Sequence, residues 1–203
     1  SIINYVALLQ MTDDEQQRTE YLEVLSRQSQ RLKKLIEDLM EMSRASSGNV
    51  AVEITPTDVG EALHQALGEF ADRLEQRGLT VMTKIPAEPV MAQCDGRHLW
   101  RVLSNCLGNV GKYALPGTRL YIDIGSAEGK VMISLKNISR EPLNVAAEEL
   151  LERFVRGDKS RNTEGSGLGL HIAKSLMELQ HGQLQLLVDG DLFKVMVTVP
   201  QGA

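Results

Sequence analysis

Apolar residues recur along the chain at two periods, and the change between them divides it. Leu25, Leu32 and Leu39 hold one heptad position, and Tyr21, Gln28, Leu35 and Met42 hold the other. That repeat predicts a helix packed along its length against other helices. Thr12-Asp13-Asp14-Glu15 reads as the capping box that starts it, and Ala45-Ser46-Ser47-Gly48 as its end. A helix over 13–45 is about 50 Å long, too long to bury its own stripe. Ser1 to Gln10, with Ile2, Val6 and Leu9 on one face, reads as the end of a preceding antiparallel helix. A two-helix hairpin still leaves apolar surface open, and a symmetric four-helix dimer closes it most simply. The alternative is an intramolecular bundle with the rest of the chain.

Residues 48–57 are polar, with Gly48 and Pro56, and read as a linker between a hairpin segment, 1–47, and a second unit, 58–203. Asp58-Val59-Gly60-Glu61 is a second capping box, and the helix it opens runs to Gly78. Strands are expected at 79–85 and 90–93, then a helix at 97–113. Segments 119–125 and 130–136 alternate apolar and polar across a Ser-Ala-Glu-Gly turn, a hairpin pattern. A helix over 167–181 ends at Gly182, and 184–188 and 192–199 flank Asp189-Gly190, a second hairpin turn. The class is therefore α+β: a helical hairpin followed by a mixed sheet covered by about three helices.

Composition narrows the partners. The chain has 203 residues, a net charge of −5, 42% hydrophobic and 24% charged residues, which fits a globular protein and disfavours a nucleic-acid or anionic-membrane binder. The basic run Arg31, Lys33, Lys34 is followed by Glu37, Asp38 and Glu41, and reads as a solvated helix face. Cys94 and Cys106 lack metal-ligand spacing and sit among apolar residues, so buried thiols are expected. No apolar run approaches the roughly 20 residues that cross a bilayer.

Candidate chemistry lies in three places. On the helix over 99–113, Asn105, Asn109 and Lys112 stand at i, i+4 and i+7, within an arc of about 60°. Two carboxamides and an ammonium suit Mg²⁺ plus phosphate, although, taken alone, the polar outer face of an amphipathic helix explains the spacing better. Glu164-Gly165-Ser166-Gly167-Leu168-Gly169-Leu170 leads into a helix, where glycine lets backbone N–H groups approach a phosphate. It matches neither G-x-G-x-x-G nor G-x-x-x-x-G-K-[ST]. Between them, Leu151 to Asp158 and the polar stretch Lys159 to Glu164 read as a loop able to close over a ligand.

The combination is more specific than its parts. Leu-Trp-Arg-Val-Leu-Ser-Asn-Cys-Leu-Gly-Asn-Val-Gly-Lys-Tyr (99–113) resembles the asparagine box of sensor histidine kinases. Glu-Arg-Phe-Val-Arg-Gly-Asp (152–158) resembles their phenylalanine motif, and Gly-Ser-Gly-Leu-Gly-Leu (165–170) their second glycine box. The heptad helix is similar to the second helix of their dimerisation and phosphotransfer hairpin. The resemblance implies a Bergerat-type ATP-binding fold, a homodimer and a response-regulator partner. It further implies a cytoplasmic position, in a parent protein anchored in the bacterial cell membrane. By matching positions, Asn105 and Asn109 would hold Mg²⁺, Lys112 and Arg156 would contact the phosphates of ATP, and Tyr113 would border the nucleotide. Gly165, Gly167, Leu168 and Gly169 would shape the lid and phosphate cradle, with Phe154 as the lid hinge.

Two departures stand out. The family's first glycine box reads Asp-x-Gly-x-Gly, whereas here the strand end is Asn137-Ile138-Ser139-Arg140-Glu141-Pro142. Asn137 takes the acid's place and retains an oxygen able to accept from the adenine amino group. The acceptor histidine would lie just upstream of Ser1. His64, His98, His171 and His181 read as ordinary helix residues, so the chain alone is expected not to phosphorylate itself. The competing readings are another ATPase of the same fold superfamily, which would need an acid on the 99–113 helix, and a nucleotide-binding dimeric scaffold with a degenerate catalytic domain.

Overall fold

Aspartates start the three longest helices. In the computed structural model, which describes residues 2–46, 50–143, 150–151 and 167–202, α1 (Ile2–Met11) turns into α2 (Glu15–Ser46). The α2 cap is Asp14, whose Oδ1 accepts from Gln16 N at 2.9 Å and Gln17 N at 3.3 Å. Thr12, expected as the cap, instead donates to Gln17 Oε1 at 3.0 Å. The hairpin is antiparallel, with the rings of Tyr5 and Tyr21 5.8 Å apart.

Strand β1 (Thr55–Asp58) occupies the end of the expected linker. It pairs antiparallel with β3 (Met91–Cys94). Asp58 caps α3 (Val59–Gln76) by accepting from Gly60 N and Glu61 N. After β2 (Thr80–Lys84), Asp95 caps α4 (Gly96–Tyr113). Strands β4 (Arg119–Ala127) and β5 (Lys130–Ile138) form a hairpin. Helix α5 (Gly169–Glu178) leads into β6 (Gln183–Asp189) and β7 (Leu192–Pro200), the second hairpin. The five-stranded sheet runs β2-β4-β5-β7-β6, with only β2 and β4 parallel. Period-two alternation turns Leu120, Ile122, Val131, Ile133, Leu135, Val195 and Val197 inward. There they share a core with Leu63 of α3, Leu103 and Leu107 of α4, and Ile172 and Leu176 of α5. The fold is a helical hairpin followed by an α/β sandwich. No helix among the described residues is long and apolar enough to cross a membrane.

Two expectations need correction. The acidic end of α2 is not a solvated face: Asp38 is 4% exposed, and Met42 and Ala45 are buried. Met42 joins the core of the α/β part, so the intramolecular packing kept as the alternative is realised at this end of the helix. Leu32 and Leu39, in the other heptad position, stay about half exposed at 49% and 47%. A stripe of period 3.5 on a helix of 3.6 residues per turn is broad enough to serve two surfaces. The second correction concerns α5, expected to reach His181. It ends at Glu178, and His181 adopts φ +58° in the following turn. Gly182 is required there by space. A Cβ would stand 2.5 Å from Met177 Cε and 2.6 Å from the backbone oxygen of Thr198.

Asp95, 1% exposed, ties three segments together. Its Oδ2 accepts from Glu53 N at 3.0 Å, its Oδ1 from Arg97 N at 3.0 Å, and its own N–H donates to Gln180 Oε1 at 2.7 Å. Burial pushes this carboxyl up. The Arg97 guanidinium, the Glu53 and His98 amides and the His98 charge outweigh it and hold the carboxyl down at about 2. A depressed carboxyl contributes stability above its unfolded value of about 4, and that contribution is lost as pH falls toward 2. Urea unfolding of Asp95→Ala at pH 7 should show a loss of about 1–2 kcal/mol, with the gap to the unaltered chain closing between pH 4 and pH 2. Gly182→Ala should cost about 1–3 kcal/mol by the same measurement, because the Thr198 carbonyl cannot move aside as a methionine tip can.

Candidate functional site

A polar residue interrupts the inward stripe of β5. Val131, Ile133, Leu135 and Asn137 all face the core, and Asn137 is 4% exposed. Its Nδ2 donates to the Ile138 carbonyl at 3.1 Å, which fixes the amide orientation because a carbonyl can only accept. Its Oδ1 is then buried with no hydrogen-bond partner among the described residues.

The end of α4 is stitched to this strand end. Leu115 N donates to Ile138 O at 2.8 Å, Arg140 N to Tyr113 O at 2.8 Å, and Ala114 bridges Ser139. Lys112 and Tyr113, both half-buried, therefore sit beside the strand end that carries Asn137. Further up α4, Asn105 lies against the start of α5: a Cβ on Gly169 would stand 3.5 Å from Asn105 Oδ1. Its Nδ2 is a second buried amide atom without a partner among the described residues. Asn109 lies between, partly buried. Gly167, at φ +75°, occupies the left-handed region that glycine enters without steric cost. Leu168 stands at the N-cap of α5 with a side chain that cannot cap it, and the positive end of the helix dipole lies beside Asn105.

The structure thus places Asn105 beside Gly169 at the start of α5 and Tyr113 beside the strand end that carries Asn137, with Asn109 and Lys112 between them on α4. Phe154, Arg156 and Gly165, with the rest of the loop expected over 152–166, lie outside the described residues. Burial pushes the Cys106 thiol up to about 12 and also raises Cys94, so neither offers a thiolate nucleophile near neutral pH. Among the described residues no group of three His, Cys, Asp or Glu could hold a metal. The polar groups along this end of α4 and at the start of α5 are carboxamides, an ammonium and backbone N–H groups, types that suit a phosphorylated ligand with a hard cation.

Residue-type reasoning missed two contributions. His171, read as an ordinary helix residue, donates from Nδ1 to Leu151 O at 3.0 Å, tying α5 to the chain just before the phenylalanine motif. The other is Arg101, which makes ion pairs with α2. Neither has a motif of its own, and only tertiary placement reveals them.

Comparison with known proteins agrees with this geometry. A family model described as histidine kinase-, DNA gyrase B-, and HSP90-like ATPase matches residues 94–202. One described as His Kinase A (phospho-acceptor) domain matches residues 1–48. The chain is 31% identical over 186 residues to the sensor protein VanS of Enterococcus faecium, covering 90% of this chain and 48% of that protein. It is 30% identical over 155 residues to the signal transduction histidine-protein kinase BaeS of Escherichia coli K12, covering 75% of this chain and 33% of that one. In fold it is similar to the Acinetobacter baumannii histidine kinase AdeS, with a TM-score of 0.73 and 20% identity over 98% of this chain and 96% of that one. A structure of full-length ShkA in complex with AMPPNP gives a TM-score of 0.76 and 20% identity over 97% of this chain and 41% of that one. The chain spans about half or less of the length of VanS and BaeS.

The orphaned oxygen of Asn137 makes a stability prediction of its own. Asn137→Leu removes an unpaired buried acceptor and leaves Ile138 O still bonded to Leu115 N. Thermal unfolding should therefore move by no more than the equivalent of about 1 kcal/mol in the destabilising direction, and a gain is expected. A larger loss would mean that the amide has an internal partner.

Proposed function

The chain belongs to the histidine kinase-, DNA gyrase B- and HSP90-like ATPases, with a His Kinase A region ahead of that domain, and from this we propose that it binds Mg²⁺·ATP for phosphoryl transfer to a histidine and onward to a response-regulator aspartate. The observation that supports the reading is a pair of buried amide atoms, Asn137 Oδ1 and Asn105 Nδ2, that have no hydrogen-bond partner among the described residues. A buried amide group left unpaired costs about 1–3 kcal/mol. A site meant to stay empty would more cheaply hold leucine at both positions.

In this reading Asn137 Oδ1 accepts from the adenine amino group, and Tyr113 borders the base. Asn105 and Asn109 hold Mg²⁺ through amide oxygens, directly or through water, and the Asn105 Nδ2, a donor that a cation cannot satisfy, donates to a phosphate oxygen. Magnesium supplies charge neutralisation at the phosphates. Lys112 and Arg156 add positive charge there, and the backbone of Gly165, Gly167, Leu168 and Gly169 cradles the phosphates at the positive end of α5. Phe154 serves as the hinge of the loop that closes over them. The protein's task is positioning and electrostatics, because phosphoryl transfer needs little covalent chemistry from the enzyme.

The hairpin supports dimerisation as part of the same proposal. Ile3 is 79% exposed, Met11 83% and Leu22 56%, on helices too thin to cover one another. A second copy closing a four-helix bundle is the simplest cover. We divide the chain accordingly into a hairpin segment, 1–47, a connecting segment, 48–57, and a nucleotide-binding domain, 58–203. As a further part of the proposal, the whole protein is anchored in the bacterial cell membrane with these domains on the cytoplasmic side, a reading supported by the likeness to sensor proteins.

Calorimetry with Mg²⁺ and a non-hydrolysable ATP analogue should show one site per chain, and Asn137→Leu should weaken it by about tenfold or more. Absence of heat in the unaltered chain would contradict nucleotide binding itself, and with it the reading as a nucleotide-binding scaffold. With radiolabelled ATP the chain itself should gain no acid-labile phosphate, since neither α1 nor α2 contains a histidine. Adding a histidine-bearing helix of the same hairpin should restore labelling. Labelling of the chain alone would contradict the assignment.

A further inference from the structure

Helix α2 meets both α4 and α5. Its C-terminal half packs on α5, Met42 enters the core shared by α4 and α5, and its carboxylates grip α4. Arg101 Nε lies 3.1 and 3.0 Å from the two carboxylate oxygens of Glu41, and its Nη2 lies 2.6 Å from Glu41 Oε2 and 3.4 Å from Asp38 Oδ1. The pairing is bidentate and shielded: the Arg101 side chain is 25% exposed, Glu41 27% and Asp38 5%. Lys34 closes the cluster, 3.0 Å from Asp38 on its own helix. Bidentate, partly buried pairs of this kind hold geometry far better than exposed ones.

Arg101 stands one helical turn before Asn105, and Asn105 in turn lies against Gly169 at the start of α5. We propose that Arg101 is a positioning residue for the nucleotide site: through Glu41 and Asp38 it makes the hairpin helix a splint across α4 and α5, setting the separation at which Asn105 meets the start of α5. The inference rests on the nucleotide-binding reading and adds a direction to it. A hairpin held in place favours the bound nucleotide, and by linkage a bound nucleotide holds the hairpin in place. Arg101 itself touches no ligand in this scheme. Its guanidinium is occupied by α2, and its effect passes through one turn of helix. Disturbance of α2 by a signal arriving along the hairpin then reaches Asn105 without any change in the ligand-contacting residues.

The test is a double-mutant cycle on Arg101→Ala and Glu41→Gln, read by calorimetry with Mg²⁺ and a non-hydrolysable ATP analogue. Pulsed electron resonance between labels at Glu23→Cys on α2 and Asp72→Cys on α3 reports docking. Both positions are exposed, and the native Cys94 and Cys106 are buried from the label. Each single variant should weaken the analogue by about fivefold or more. The double variant should lose no more than either single one, and Arg101→Lys should recover part of the loss. The distance distribution should broaden in both single variants and narrow again when the analogue is added. Unchanged affinity in both single variants, or losses that add in the double, would overturn the positioning role. Failure of the unaltered chain to take up the analogue would sink the nucleotide reading and this one together.

Discussion

An amide buried without a partner is a standing cost to the fold, and among the described residues the domain carries that cost at Asn137 and Asn105. The rest of the α/β part holds these two groups in register. Asn137 is fixed by the inward phase of β5, so it shares a face with Ile133 and Leu135 and cannot swing to solvent without shifting the whole strand. Asn105 is fixed by the apolar stripe of α4, whose buried residues Val102, Leu103, Cys106 and Val110 leave it one direction, toward α5. The backbone bonds between Leu115 and Ile138 and between Arg140 and Tyr113 lock strand end to helix end. The core thus acts as a jig for two unsatisfied amides.

The same economy governs the hairpin. One face of α2 carries Met42 and Ala45 into the α/β core, while Leu32 and Leu39 remain at the surface. A single helix therefore presents one surface to its own nucleotide-binding domain and another outward. At the start of α4, Asp95 fastens Glu53, Arg97 and Gln180 with one carboxylate. Arg101 fastens α2 two turns on. The first half of α4 is an assembly surface, and its second half, from Asn105, carries the residues proposed to meet the ligand.

Much of this is legible in the sequence. Both hairpins, the long α2 and the helix over 97–113 follow from periodicity and turn residues within a few positions, because each is amphipathic and bounded by Asp or Gly. The candidate residues on α4 are read from their spacing joined to the family resemblance, and Asn137 from the resemblance alone, because the alternating pattern is expected only over 130–136. What stays hidden is tertiary. The carboxylates of Asp38 and Glu41 look like any charged helix face until Arg101 meets them across 60 residues of sequence. The end of α5 is misplaced because His181 enters the left-handed region, whereas Gly182 is demanded by the nearby Thr198 carbonyl. Neither proximity has a local signature.

The central claim is that the two orphaned amides are the ligand's partners. Side-chain amide resonances of Asn105 and Asn137, assigned by substitution and followed by nitrogen–proton correlation spectroscopy, report this directly. Titration with Mg²⁺ and a non-hydrolysable ATP analogue should move both pairs of amide signals together, at the same midpoint. Signals that stay in place at saturating analogue, while heat of binding is still released, would put the nucleotide elsewhere and contradict the account.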